Sequence, residues 1–183
     1  TAYDAVCGFI GGGNYASRVL IPSFKRAGAK LDTLLTSTGF SALHHAKKNN
    51  FSNVSTDLSQ LLNNDAINTA VIVTQHNLHA GQVVQAINSG KNVFVEKPLA
   101  LTHAELDKIE SAYNEQKGKC RVMVGYNRRF APHVVKIKTL LANIVEPKIF
   151  IMTMNAGAIP ADHWTQDPSV GGGRIIGEAC HYI

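Results

Sequence analysis

Short apolar runs alternate with longer stretches of helical periodicity along the first two thirds of the chain. Residues 4–10 predict a strand that ends in Gly11-Gly12-Gly13. A helix is predicted over 14–27, with Gly28 as its stop and Pro22 dividing it, because proline lacks the N–H that the ladder needs. Further strands are predicted over 31–36, 69–74, 92–95 and 121–125. The run 69–74 (TAVIVT) is β-branched and apolar throughout, the signature of a strand covered on both faces. Helices are predicted over 41–49 with Ser41 as N-cap, over 57–62, and over 79–89 with Val83, Val84 and Ile87 on one face and Gly90 closing it.

The helix after residue 101 has the clearest start. Thr102 and Glu105 form a capping box, Leu101 and Leu106 occupy the staple positions, and Gly118 ends the segment. Leu106, Ile109 and Tyr113 have the spacing of its buried face. Strand–helix alternation over 1–125 predicts an α/β fold with a doubly wound parallel sheet. The texture then changes, with a helix over 132–141, a strand over 148–155 and a glycine-rich stretch over 157–173. We therefore divide the chain into a domain over 1–125 and the incomplete start of a second, α+β domain over 126–183, with the boundary near 126–131.

Composition narrows the class. Of 183 residues, 45% are apolar and 17% charged, which fits a folded soluble chain and not a disordered one. No apolar run approaches the roughly 18 residues of a membrane span. The first residues lack the pattern of a signal peptide, and a start at Thr1 suggests a piece of something longer. The net charge of +5 is scattered in pairs such as Lys47-Lys48, so a nucleic-acid partner is not expected. Cys7, Cys120 and Cys180 lack C-x-x-C spacing and read as reduced thiols of a cytoplasmic protein.

The candidate chemistry begins at Gly11-Gly12-Gly13-Asn14-Tyr15-Ala16, a G-x-G-x-x-A pattern between the first strand and the first helix. There Gly11 permits the tight turn, Gly13 lets the backbone approach a pyrophosphate, and Ala16 lets the helix pack close. The helix N-terminus offers its N–H groups to phosphates. These residues predict a dinucleotide cofactor. A carboxylate at the end of the second strand would hold the ribose hydroxyls of NAD, but that strand ends Thr36-Ser37-Thr38 and Asp32 lies at its other end. Ser37 and Thr38 can donate to a 2′-phosphate, so NADP is favoured slightly over NAD. Glu96-Lys97-Pro98 follows a strand at its carboxyl end, the edge where open sheets bind ligands, and Pro98 fixes the direction of Lys97.

Together these motifs resemble the glucose–fructose oxidoreductase / inositol dehydrogenase (Gfo/Idh/MocA) family. The glycine loop, the Glu-Lys-Pro step, the run 125–130 (GYNRRF) and the run 164–168 (WTQDP) leading into Gly171-Gly172-Gly173 carry the likeness in order. The stretches GGGNYASRVLIPSFK and GGGRIIGEACHYI further resemble the branch fused behind a zinc-dependent alcohol dehydrogenase-like half. The resemblance implies a Rossmann domain and reversible hydride transfer between NAD(P) and a hydroxyl or carbonyl carbon of a sugar, polyol or related small polar substrate. It implies that Lys97 is the active-site lysine and His181 the acid/base. Thr74, His76, His79 and Glu96 would lie against the cofactor; Tyr126, Asn127, Arg128 and Trp164 would meet the substrate. The family pattern has an acid at 177, where this chain has Gly177; Glu178 is the nearest carboxylate and the candidate substitute. A homo-oligomer is implied for the full-length protein, and weak or no turnover for this piece alone. Two other functions are open: a non-catalytic nucleotide-binding regulator, and a nicotinamide-assisted hydrolase or lyase. His76 and His79 have a spacing that suits a metal but no companion ligands, so no metal site is expected.

Overall fold

The computed structural model describes residues 4–182. Six parallel strands form one sheet: β1 (Val6–Ile10), β2 (Lys30–Leu35), β3 (Asn53–Ser55), β4 (Thr69–Ile72), β5 (Asn92–Val95) and β6 (Val122–Val124). Their order is β3-β2-β1-β4-β5-β6, so the winding reverses between β1 and β4 and opens a crevice at their carboxyl ends. This is the doubly wound Rossmann architecture expected from the alternation. β3 is an addition. Its residues Asn53, Val54 and Ser55 carry one strong strand former between two polar residues, and the element exists through its pairing with β2.

The first crossover helix starts at Asn14 and takes a π-helical turn over Ala16–Leu20 before α1 (Ile21–Arg26). Ile21 N–H donates to Ala16 O, five residues back, immediately before Pro22. The ladder thus widens where proline would have left a carbonyl unpaired, which is how the divided helix stays continuous. Gly28, at φ +87°, ends it. Next come α2 (Gly39–Asn49), α3 (Leu58–Leu62), α4 (His76–Asn88) and α5 (His103–Glu115). α2 starts before the expected cap Ser41, with Thr38 at its N-cap. α4 starts one turn before the expected position 79, since Gln75 is already extended and His76 helical.

Cys7, Phe9, Ile21, Leu34 and Val71 build the core on one face of the sheet; Ile10, Ile72, Val83, Ile87, Val95 and Ile109 build it on the other. Phe9 packs edge-on against Phe24 and Phe51 at 5.4 and 5.7 Å, pairs worth about 0.5–1.5 kcal/mol each beyond their burial. Gly8 admits α3: a Cβ there would lie 2.7 Å from Leu61 Cγ. The capping box of α5 is present, with Glu105 N–H donating to Thr102 Oγ1 and Glu105 Oε2 accepting from the Thr102 N–H. Its buried face differs from expectation. Ile109 and Ala112 are buried, whereas Leu106 and Tyr113 are 42% and 39% exposed. α5 rests on α4 along a strip narrower than the apolar spacing suggested.

After β6 come a 3-10 turn (Asn127–Phe130), α6 (Pro132–Leu141), a second 3-10 turn (Trp164–Gln166), α7 (Gly173–Gly177) and a third (Ala179–His181). The strand expected over 148–155 does not form. No described strand pairs with it, and an isolated strand leaves its backbone groups to water. No described helix is long and apolar enough to cross a membrane.

Candidate active site

A cleft of about 1450 Å³ lies over the carboxyl ends of β1, β4 and β5. Its floor is the glycine loop. Gly11 N–H donates to Leu35 O at 2.8 Å, and at φ +105° its missing Cβ would stand 2.4 Å from Val73 O. Only glycine fits between β2 and β4 there. Gly13 is the opposite case: a Cβ would meet nothing within 4 Å, so the backbone faces open space of the kind a pyrophosphate needs. Ala16 is fully buried beneath, and Asn14 and Tyr15 line the cleft.

At the end of β2, Ser37 lines the cleft, while the Thr36 hydroxyl donates to Thr38 O at 2.7 Å. Asp32 is engaged at the other end of the strand, where Oδ1 accepts from Thr33, Asn53 and Asn64. Thr56, just past β3, also lines the cleft. Sequence reasoning missed it because β3 itself was unmarked.

Beyond β4, Thr74 Oγ1 donates to Gln82 Oε1 at 2.7 Å. His79 is fully buried, with Nδ1 2.7 Å from Pro98 O and Nε2 3.1 Å from Thr74 O, so its ring ties the exits of β4 and β5 together. His76, nearly buried, places Nδ1 2.7 Å from Gly171 O and meets the Trp164 ring edge-on at 4.8 Å. Burial is the first cause holding both histidines below their usual pKa. Gln82 and Leu78 also reach the cleft; as the inward positions of α4, they become visible once its true start is known.

Glu96 and Lys97 line the same cleft. The Glu96 carboxylate is buried against Gly125, its Oε1 has no partner among the described residues, and burial raises its pKa. Lys97 Nζ donates to Gly177 O. His181 lines the cleft as well, and its Nδ1 is buried without a partner among the described residues. Burial first, then the nearby charges of Lys97 and Arg128, lower its pKa against the opposing pull of Glu178.

Asn127, Arg128 and Trp164 lie on the cleft wall. Two expected substrate contacts are placed elsewhere. Tyr126 does not itself line the cleft, its ring standing 6.3 Å from that of His181, which does. Glu178 is turned away, its carboxylate paired with Arg174 at 2.8 Å beside a separate hollow of about 360 Å³. Arg174 lies one helical turn earlier and holds the carboxylate on that side of α7. Among the described residues, no three His, Cys, Asp or Glu gather as a metal site.

A glycine-floored cleft at the switch point of a parallel sheet defines a dinucleotide-binding fold. Residues 6–126 match the oxidoreductase family with an NAD-binding Rossmann fold, Gfo/Idh/MocA, and the chain belongs to that family. It is 30% identical to oxidoreductase P35 of Formosa agariphila over 96% of this chain and 60% of that protein. It is 33% identical to inositol 2-dehydrogenase of Salmonella typhimurium over 46% of this chain and 25% of the relative. Among solved structures, levoglucosan dehydrogenase in complex with NADH and levoglucosan aligns with a TM-score of 0.79 at 23% identity, over 98% of this chain and 52% of that one. The chain thus spans less than two thirds of the length of these proteins.

Proposed function

We propose that the cleft binds NAD or NADP and that the full-length protein oxidises or reduces a hydroxyl or carbonyl carbon of a polyhydroxylated small molecule. The carrying observation is that Lys97 and His181, 84 positions apart in sequence, line one cleft with the glycine loop. The bound nicotinamide would supply the hydride acceptor or donor. The open backbone at Gly13 fits its pyrophosphate. Lys97 would hold the reacting oxygen and offset negative charge developing on it. His181, whose pKa burial and neighbouring cations lower, would take the hydroxyl proton at a ring nitrogen and return it in the reverse direction. The names of the relatives point to cyclic polyols and anhydrosugars as the substrate class. Lacking a carboxylate at the far end of β2, the cleft favours NADP slightly.

The test is fluorescence titration with NADH and NADPH, followed by turnover assays of the full-length protein on inositol and levoglucosan. Tight nucleotide binding with reduction of NAD(P) supports the proposal, and failure to bind either nucleotide overturns it. Binding without turnover of any polyol leaves a nucleotide-binding regulator. Turnover without net NAD(P)H would indicate the hydrolase or lyase variation.

A further inference from the structure

Lys97 stands at the end of β5, yet the carbonyl that receives its ammonium belongs to a residue 80 positions later. The helix α7 has only five residues and no side-chain cap to hold that carbonyl in place. Beside the contacts that α7 makes with the 3-10 turns on either side of it, the first turn of α4 helps to seat it. His76 Nδ1 is 2.7 Å from Gly171 O in a buried contact, and because a carbonyl only accepts, Nδ1 carries the proton. Asn77 N–H donates to Val170 O at 3.1 Å. Nearby, a Cβ on Gly172 would lie 2.6 Å from Leu101 Cδ2, and one on Gly177 only 3.1 Å from His76 Cε1. The segment is also closed on itself, since a Cβ on Gly171 would lie 2.4 Å from Thr165 Cα. A Cβ on Gly177 would also lie 3.3 Å from Gly171 O, so the two glycines abut and a displacement at Gly171 is passed along to Gly177.

We propose that His76 is a positioning residue for Lys97. By holding Gly171 and bearing on Gly177, it fixes the carbonyl that takes one of the three ammonium protons of Lys97, and so sets where the other two point in the cleft. The inference deepens the reading of Lys97 given above and rests on it for its catalytic meaning. Its geometric content stands apart, because the clamp needs neither nucleotide nor substrate.

The experiment reads that geometry directly. The chain is acylated with a water-soluble N-hydroxysuccinimide acetate, and the rate at Lys97 is measured by peptide mass spectrometry relative to exposed Lys25. An amine held against a backbone carbonyl cannot turn its nitrogen freely toward the reagent, so Lys97 reacts slowly in the parent chain. His76→Ala is expected to speed its labelling at least about threefold. His76→Asn keeps an amide N–H near the Nδ1 position and is expected to label like the parent. His76→Gln places its amide at the Nε2 position and is expected to label like the alanine variant. If His76→Ala does not fold, the Asn and Gln pair decides. Equal Lys97 rates in the Asn and Gln variants, or a parental rate in folded His76→Ala, would overturn the proposal. Loss of nucleotide binding or turnover would leave this readout unchanged, so the two readings fail separately.

Discussion

Asn127 Nδ2 donates a hydrogen bond of 2.8 Å to the phenol oxygen of Tyr15, a residue 112 positions earlier. The bond joins the glycine loop to the segment that leaves the sheet after β6, and both residues line the cleft. Being solvent-exposed, it contributes only about 0.5 kcal/mol to stability. Its effect should appear in ligand binding instead. Tyr15→Phe is expected to leave the melting temperature within about 2 °C of the parent and to weaken nucleotide binding about two- to threefold. Asn127→Ala should do the same. Calorimetric titration of the double variant should show no additive loss, because the two changes remove one interaction.

Gly11 and Gly13 sit two positions apart and should respond in opposite ways. Gly11→Ala forces a Cβ to 2.4 Å from Val73 O at φ +105°, so a loss of about 1–3 kcal/mol or more is expected in urea unfolding. Gly13→Ala meets nothing within 4 Å, so unfolding should be unchanged to within about 0.5 kcal/mol. Its methyl would instead occupy space needed by a pyrophosphate and should weaken NADH and NADPH binding at least about tenfold. Parental affinity in Gly13→Ala would remove the loop from the cofactor site.

The sequence exposed these glycines because a strand, a G-x-G-x-x-A loop and a helix follow one another in a register with few alternatives. The capping box of α5 was equally legible, being wholly local. What stayed hidden depended on contacts distant in sequence. β3 has too little apolar character to be marked and forms through β2. The first turn of α4 carries His76 and Asn77, poor helix formers held by Gly171 and Val170 nearly a hundred residues away. Glu178 read as a substrate contact because it is the carboxylate nearest the expected position. Only the structure shows Arg174 holding it.

Cofactor preference can be tested at the end of β2. Ser37 lines the cleft, and Glu96 is the sole carboxylate-bearing residue on its wall among those described. Ser37→Asp adds a negative charge where a 2′-phosphate would stand and an acceptor where two ribose hydroxyls would stand. The ratio of NADPH to NADH affinity is expected to fall about tenfold or more in fluorescence titration. An unchanged ratio would mean that Ser37 does not face the adenosine ribose.

Acid should destabilise the fold in a defined window. His76, His79 and His181 each hold their pKa below 6.5, with burial the first cause in all three. As pH falls through about 6.5 the unfolded chain therefore takes up protons more readily than the folded rings do. Stability from this source is complete above that pH and is lost as pH falls through it toward the folded values. Glu96, whose pKa is raised, acts in the other sense. The folded chain keeps its proton to higher pH than the unfolded chain does, so ionising this buried carboxyl costs stability as pH rises from about 4.5. The melting temperature is expected to fall between pH 7 and pH 5.5, and more gently in His79→Asn. That variant lowers the whole curve but removes the most buried of the three rings.

Residues 148–155 form no strand and leave apolar side chains in solvent. Val145, Ile149 and Ile151 are 91%, 92% and 90% exposed, so they add nothing to the core of this chain. An unpaired, β-branched, nearly uncharged stretch is a template for intermolecular pairing. Ile149→Lys combined with Ile151→Lys places charges on that stretch without removing any packed contact. The melting temperature should stay within about 1 °C of the parent, while light scattering on concentration or gentle heating should fall severalfold. A marked drop in melting temperature would show that these side chains are packed in solution, against a surface the isolated chain does not display.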